Sequence, residues 1–233
     1  GTWQQIAKLT ADDGASDDYF GYSVATSGGV AVIGARFDDD NGSASGSAYV
    51  FEQQADGTWQ QVAKLTANDG ASDDQFGTSV ATSGGIAVIG ATGDDDNGSG
   101  SGSAYVYEQQ VDGTWQQVAK LTANDGAEGD RFGRNVATSG GIAVIGATGD
   151  DDNGDGSGSA YVYGSNAATG ACCVTSGCDL LTEASCTSLG GTWLGEGSLC
   201  DDCPASCAGD ITGDGHLGIQ DLLLMLEAWG PCP

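Results

Sequence analysis

The chain reads as an all-β protein: three four-stranded antiparallel propeller-type blades, followed by a small disulfide-rich tail with one EF-hand-like loop and a short helix. Three observations predict this. Trp3, Trp59 and Trp115 recur every 56 residues, and almost everything around them recurs too. Each repeat holds four short apolar or alternating runs separated by Gly-rich turn sequences, the pattern of strands joined tightly. All eight cysteines lie between Cys172 and Cys232, leaving the repeats without any.

Within a repeat the first run is Trp3–Leu9 and the second Phe20–Thr26. The third, Val30–Ala35, is continuously apolar, as suits a strand buried on both faces. The fourth, Ser47–Gln53, alternates enough for a half-buried strand. Ser27-Gly28-Gly29 turns the chain after the second run, and Ala55-Asp56-Gly57 turns it before the next Trp. Four antiparallel strands per unit, repeated, read as propeller blades. The predicted divisions are 1–166 for the blades, 167–206 for a Cys-rich module, and 207–233 for a loop and helix.

Six Lys+Arg against 33 Asp+Glu give a formal charge of −27. Such a surface repels nucleic acid and anionic lipid and attracts cations. No apolar run is long enough to span a membrane as a helix. The chain opens at Gly1 with no signal peptide or initiator Met, and is read as a processed form or a fragment. An even number of cysteines packed into a short loop-rich segment implies a disulfide framework and an oxidising compartment. A zinc site is the poorer reading: Cys200 and Cys203 form a C-x-x-C pair, but no second pair follows and His216 is the sole histidine. A secreted or cell-surface location follows.

Phe20-Gly21, Phe76-Gly77 and Phe132-Gly133 are each followed by a Val-containing strand. Then come Gly34-Ala35, Gly90-Ala91 and Gly146-Ala147. In these residues the chain resembles FG-GAP repeats, which build the head of integrin α chains and many bacterial surface proteins. The resemblance covers about residues 1–164. It implies a β-propeller used for adhesion or scaffolding, with extracellular protein or glycan partners, and no catalysis. The sequence departs from the family pattern in two respects, of which one is number: propellers typically have about four to eight blades, and this chain has three. The other is the calcium loop, which in integrins lies between the FG and GA strands; here that connection is Ser27-Gly28-Gly29, without a carboxylate.

The acids gather in two loops of each repeat. One precedes the FG strand and carries Asp12, Asp13, Asp17 and Asp18, then Asp69, Asp73 and Asp74, then Asp125, Glu128 and Asp130. The other follows the GA strand and carries Asp38–Asp40 with Asn41, Asp94–Asp96 with Asn97, and Asp150–Asp152 with Asn153. As alternate connections of a meander, both loops are expected at one end of the blade. So many carboxylates on one rim repel unless a cation neutralises them, and calcium takes six to eight such oxygens. The expected ligands are Asp38, Asp40 and Asn41, Asp94, Asp96 and Asn97, and Asp150, Asp152 and Asn153. The competing reading is a solvated acidic face. A Ser/His/Asp triad has no histidine in the repeats to work with, and the loop carboxylates lack apolar surroundings that would split their pKa values. The chain is therefore read as no enzyme.

The last segment places Asp210, Thr212, Asp214, Gly215 and Asp221 at positions 1, 3, 5, 6 and 12 of an EF-hand-type loop. His216 at position 7 would offer its carbonyl, and an apolar helix, Asp221–Trp229, begins where the loop ends. This resembles one half of a dockerin. Thr212 stands where Asn or Asp is usual, and a second loop, which cohesin docking normally uses, is missing. Cys207 and Cys232 bracket the loop and helix and are expected to pair. Calcium and disulfide together either hold this small module or serve attachment.

Under the FG-GAP arrangement the next repeat's Trp strand completes each blade. The third blade then lacks an outer strand, while Thr2–Leu9 is an outer strand with no blade before it. Either another copy supplies the missing strand, giving a homo-oligomer or filament through open blade edges, or blades upstream do. Three functions compete: an adhesion or scaffold module, a self-assembling extracellular filament or sheath, and an accessory part of a polysaccharide-degrading assembly.

Overall fold

The computed structural model describes residues 1–164, 170–174, 177–181 and 192–194. The chain divides into two compact units, Gly1–Gly164 and Ser165–Pro233. The dockerin-like loop, its helix and the Cys207–Cys232 pair lie outside the described residues. Among the described residues, no helix is long and apolar enough to cross a membrane.

The first unit is three antiparallel sheets in chain order. Blade A contains β1 (Ser23–Ser27), β2 (Val30–Ala35), β3 (Ser47–Gln53) and β4 (Trp59–Leu65), paired in that order. Blade B repeats it with β5 (Phe76–Ser83), β6 (Ile86–Ala91), β7 (Ser103–Gln109) and β8 (Trp115–Leu121). Blade C has three strands, β9 (Phe132–Ser139), β10 (Ile142–Ala147) and β11 (Ser159–Gly164). The Trp strand thus closes the blade of the preceding repeat, as the arrangement of runs predicts. In the second unit β12 (Gly170–Val174) pairs with β13 (Gly177–Leu181) and β14 (Thr192–Trp193).

Two-residue hairpins join the first two strands of each blade. Ser27 pairs with Val30, and Gly28 and Gly29 between them have φ of 58° and 83°. That is the left-handed pair a primed turn requires. The turn leaves no room for an ion loop, in keeping with the departure from the integrin pattern.

Blades stack through the FG and GA dipeptides. Gly77 has φ of 88°, and its carbonyl lies directly on the Cα face of Gly34, so that a methyl on Gly34 would overlap it. Gly133 and Gly90 repeat the arrangement between blades B and C. Phe76 and Phe132 bridge in parallel to Gly46 and Gly102 of the preceding blade. Apolar faces fill the joints: Val32, Ala48 and Val50 of blade A meet Val80, Ala87 and Ile89 of blade B in one buried cluster. Val88 and Ala104 meet Phe132, Ala143 and Ile145 in the next. Each Phe sits fully buried at 5.4 Å, centroid to centroid, from a strand Tyr: Phe76 on Tyr105 and Phe132 on Tyr161.

Two expectations need correcting, for one physical reason. Trp3–Leu9, expected as a strand, is in no sheet, and residues 1–8 are exposed. Its copies β4 and β8 are strands because a β3 or β7 lies beside them, and residues 3–9 have no such neighbour among the described residues. Likewise the FG strand starts at Phe76 and Phe132 in blades B and C but only at Ser23 in blade A. Phe20 lacks the preceding blade whose glycine would hold it.

Candidate functional site

The acidic loops converge. In blade A the buried Asp38 follows β2 at the foot of the sheet, where its carboxylate points back to β3. Its Oδ1 accepts from Ser47 Oγ (2.9 Å) and the Asp40 amide (3.2 Å), and its Oδ2 accepts from the Tyr49 hydroxyl (2.9 Å). Between Asp38, Asp40 and Asp13 of the earlier loop sits the Lys64 ammonium, 3.1, 2.6 and 2.7 Å from their oxygens. Lys64 comes from β4, so the outer strand closes the cluster that the two loops open. It also lies 5.3 Å from the centroid of the Tyr49 ring.

Blade B repeats the cluster. Asp94 accepts from Ser103 Oγ (2.9 Å) and Tyr105 OH (2.8 Å), and Lys120 reaches Asp69, Asp94 and Asp96 at 2.7, 2.9 and 2.7 Å. One oxygen from each of these three acids lies within 4.8 Å of the others, a spacing that gathers a cation. The cation present is the lysine.

Blade C has the acids without the amine. Asp150 accepts from Ser159 Oγ (2.9 Å) and Tyr161 OH (2.8 Å), and Tyr161 also donates to Asp125 at 3.0 Å. Among the described residues blade C has no outer strand to carry the lysine, and no cation pairs with Asp125, Asp150 or Asp152.

The titration behaviour follows from this packing. Burial alone would push the Lys64 and Lys120 ammonium groups down, but hydrogen bonds to the surrounding carboxylates outweigh it and hold both above their ordinary range. The Lys64 hydrogen bond holds Asp13 below the usual carboxylate range. Burial opposes the same effect at Asp69, where Lys120 prevails. Burial first, and the neighbouring acids second, raise Tyr49, Tyr105 and Tyr161 well above the ordinary phenol range. In blades A and B each cluster therefore joins a neutral phenol to a charged ammonium; blade C has the phenol alone.

The remaining acids have local duties. Asp18, Asp74 and Asp130 are buried and accept from the amides of Ala15, Ala71 and Ala127 at 2.6–2.7 Å, closing the loop before the FG strand. Asp39, Asp95 and Asp151 accept from loop amides five residues on. The side-chain amides of Asn41 and Asn97 donate across the blade joint to the carbonyls of Ala67 and Ala123 at 3.4 and 3.3 Å.

In blades A and B the predicted aspartates share one lysine with Asp13 and Asp69, while Asn41 and Asn97 turn to the next blade; in blade C Tyr161 joins Asp150 to Asp125. Asp210, Thr212, Asp214, His216 and Asp221 lie outside the described residues. What reading the acids alone misses is the lysine and the tyrosine. A signal was available: with so few basic residues in the chain, Lys8, Lys64 and Lys120 stand at the same place in each repeat.

A comparison with known proteins matches the FG-GAP repeat family three times, over residues 3–51, 59–107 and 115–163. No curated protein matches. Among solved structures, the crystal structure of the computationally designed Ika4 protein is similar over 70% of this chain and 99% of that one, at 16% identity and a TM-score of 0.33. The family matches take in all three repeats and most of the chain, and the chain belongs to the FG-GAP repeat family.

Proposed function

We propose that this chain is an extracellular, calcium-binding, non-enzymatic propeller-repeat protein that serves adhesion or scaffolding and associates with itself. The observation carrying this reading is the use of the acids. In blades A and B, Asp38 and Asp94 are consumed by Ser, Tyr and Lys donors that tie loops to strands. Such groups hold a blade together; a general acid or base needs a lone pair or proton facing substrate. The Gly-based joints and the stacked apolar faces serve the same end, a stiff repeating body.

Calcium does not fit equally everywhere. At Asp38, Asp40 and Asn41, and at Asp94, Asp96 and Asn97, an ammonium already lies among the oxygens, and Asn41 and Asn97 are turned to the next blade. Those two sets do not fit a resident ion. The set Asp150, Asp152 and Asn153 has no such amine among the described residues. The 210–221 loop keeps the donor types calcium selects, with Asp210, Thr212, Asp214, the His216 carbonyl and Asp221 as the residues that would hold it.

Calorimetric titration of the intact chain with calcium tests the metal assignment. A saturable heat is expected, abolished in a D210N/D214N double variant. No heat, or the same heat in the variant, overturns the tail assignment. Retention on immobilised extracellular proteins and polysaccharides, in calcium and in EDTA, tests adhesion; no retention on any surface leaves scaffolding alone.

A further inference from the structure

The first and third blades expose opposite halves of the same joint. At the C-terminal side, blade C presents the face that blades A and B use to receive a successor. Val144 is 40% exposed where its counterpart Val88 is 1%, and Val162 and Ile142 are exposed beside it. A methyl added to Gly146 would meet nothing closer than 3.8 Å, although the same methyl on Gly34 or Gly90 would strike the next blade's backbone. At the N-terminal side, blade A presents the face that packs on a predecessor. Val24 is 69% exposed where Val80 is 7%, and Gly21, in the same left-handed conformation as Gly77, has open space where Gly77 meets backbone.

Hydrogen-bonding groups are left over in matching order. The amides of Asp73, Gln75 and Phe76 donate to the carbonyls of Ser43, Ala44 and Ser45 in the preceding blade, at 2.8, 3.0 and 2.9 Å. Gly129, Arg131 and Phe132 do the same to Ser99, Gly100 and Ser101. By the repeat, the next set would pair the amides of Asp17, Tyr19 and Phe20 with the carbonyls of Asp155, Gly156 and Ser157, and among the described residues these bonds are not made. Charge is left over as well. Lys8, the counterpart of Lys64 and Lys120, makes no ion pair among the described residues, and Asp125, Asp150 and Asp152 lack their amine.

We propose that a second copy of this chain completes blade C. Residues 2–9 of one copy form the missing outer strand along β11 of another, and Lys8 enters the cluster of Asp125, Asp150, Asp152 and Tyr161. The register seen between β3 and β4 and between β7 and β8 then places Lys8 opposite Tyr161, Ala7 opposite Val162 and Leu9 opposite Ala160. Gly21 of the incoming copy rests on Gly146, as Gly77 rests on Gly34. The arm is poised for this: Leu9 and Ala11 already pack on blade A, so residues 2–8 project from its edge. The joint is heterologous, because donor and acceptor surfaces differ, and it builds a closed ring or an open filament according to its rotation. This proposal deepens the self-association in the reading above and does not depend on calcium.

Light scattering on the intact chain, with two variants, tests it. Lys8→Glu damages only the donor arm. Gly146→Val damages only the acceptor face, and its Cβ has nothing nearer than 3.8 Å in an isolated copy. The wild-type chain is expected to form species heavier than 23.2 kDa, unchanged in EDTA, and each variant to run at that mass with an unaltered circular dichroism spectrum. The decisive step is mixing the two variants. The intact arm of the Gly146→Val chain fits the intact blade C of the Lys8→Glu chain, and a one-to-one pair of twice 23.2 kDa is expected. Lys8→Ala should weaken association by on the order of tenfold, the usual weight of a charge-assisted contact. A monomeric wild type overturns the proposal, showing that residues 165–233 or nothing covers β11. So do variants that assemble like wild type, or a mixture that stays monomeric. Assembly that dissolves in EDTA and ignores Lys8→Glu also overturns it, assigning the third cluster to calcium.

Discussion

Replacing Lys120 by Met measures what the amine contributes to a blade. The side chain keeps its length and loses its charge. Three contacts vanish, but they are unequal. Asp69 and Asp96 are half-exposed, with side-chain accessibilities of 50% and 51%, and exposed pairs of this kind are worth about 0–1 kcal/mol each. Asp94 is 5% exposed and would remain as a buried charge with only the Ser103 and Tyr105 hydroxyls and the Asp96 amide to satisfy it. Removing one partner of a buried pair costs about 3–5 kcal/mol, and the lysine's own 18% exposure argues for the lower end. The expected loss is about 3 kcal/mol. For a unit of this size that lowers Tm by about 6–12 °C. Urea denaturation, read by circular dichroism, checks it, and K120M/D94N supplies the second leg. With the buried charge also gone, the double variant should recover part of the loss, a coupling of about 1–2 kcal/mol. A single-variant loss under about 1 kcal/mol would show that the cluster behaves as a surface ion pair and refute the argument.

Two further outcomes follow from the same geometry. Gly90→Ala pushes a methyl into the Gly133 carbonyl, which is backbone and cannot swing away, so a loss of about 2–4 kcal/mol is expected by denaturation. Gly146→Ala meets nothing, and its effect should lie within about 0.5 kcal/mol; equal effects at the two positions would rule out the packing described for the joint. Stability should also fall on the alkaline side. Lys64, Lys120, Tyr49 and Tyr105 all have folded-state pKa values raised above their unfolded ones. Their contribution is therefore complete below the unfolded values, near 10, and is lost as pH rises through the folded ones. Tm measured from pH 7 to 11 should stay level to about pH 9 and then drop. A level trace to pH 11 would contradict it.

The period of the sequence made most of the fold readable. A strand buried on both faces and a Gly-Gly hairpin leave distinct local patterns, and three copies reinforce each one; the fourth run, read as half-buried, is instead buried from Ser47 through Phe51 in blade A, where a second blade covers it. The incomplete third blade was readable too, because it follows from counting strands. Two things were not. Residues 3–9 match β4 and β8 almost letter for letter, yet they form no strand, since a β-strand needs a neighbour and local sequence does not say whether one is there. The charge partner of the acids was hidden by distance: Lys64 lies 51 residues from Asp13 and 26 from Asp38, in the following repeat. Read loop by loop, the acids call for an external cation. Read with the outer strand in place, they already have one.

The repeats differ from one another in a way that bears on the joint. Blade A alone has Tyr22, Arg36 and Phe37, with the Arg36 guanidinium 4.1 Å from the Tyr22 ring and 4.3 Å from Phe37. Blades B and C have Thr92-Gly93 and Thr148-Gly149 at the positions of Arg36 and Phe37, and a Cβ on Gly93 or Gly149 would strike the carbonyl of Asp73 or Gly129. Gly21, Lys8 and Gly146 match their internal copies, although among the described residues they meet no neighbouring blade. Glycine in a strand weakens it, and at Gly146 an isolated chain gains nothing in exchange. Gly21 and Lys8 likewise hold a conformation and a charge suited to a neighbouring blade. Terminal blades that keep these joint residues fit the proposed second copy, which would carry the other half.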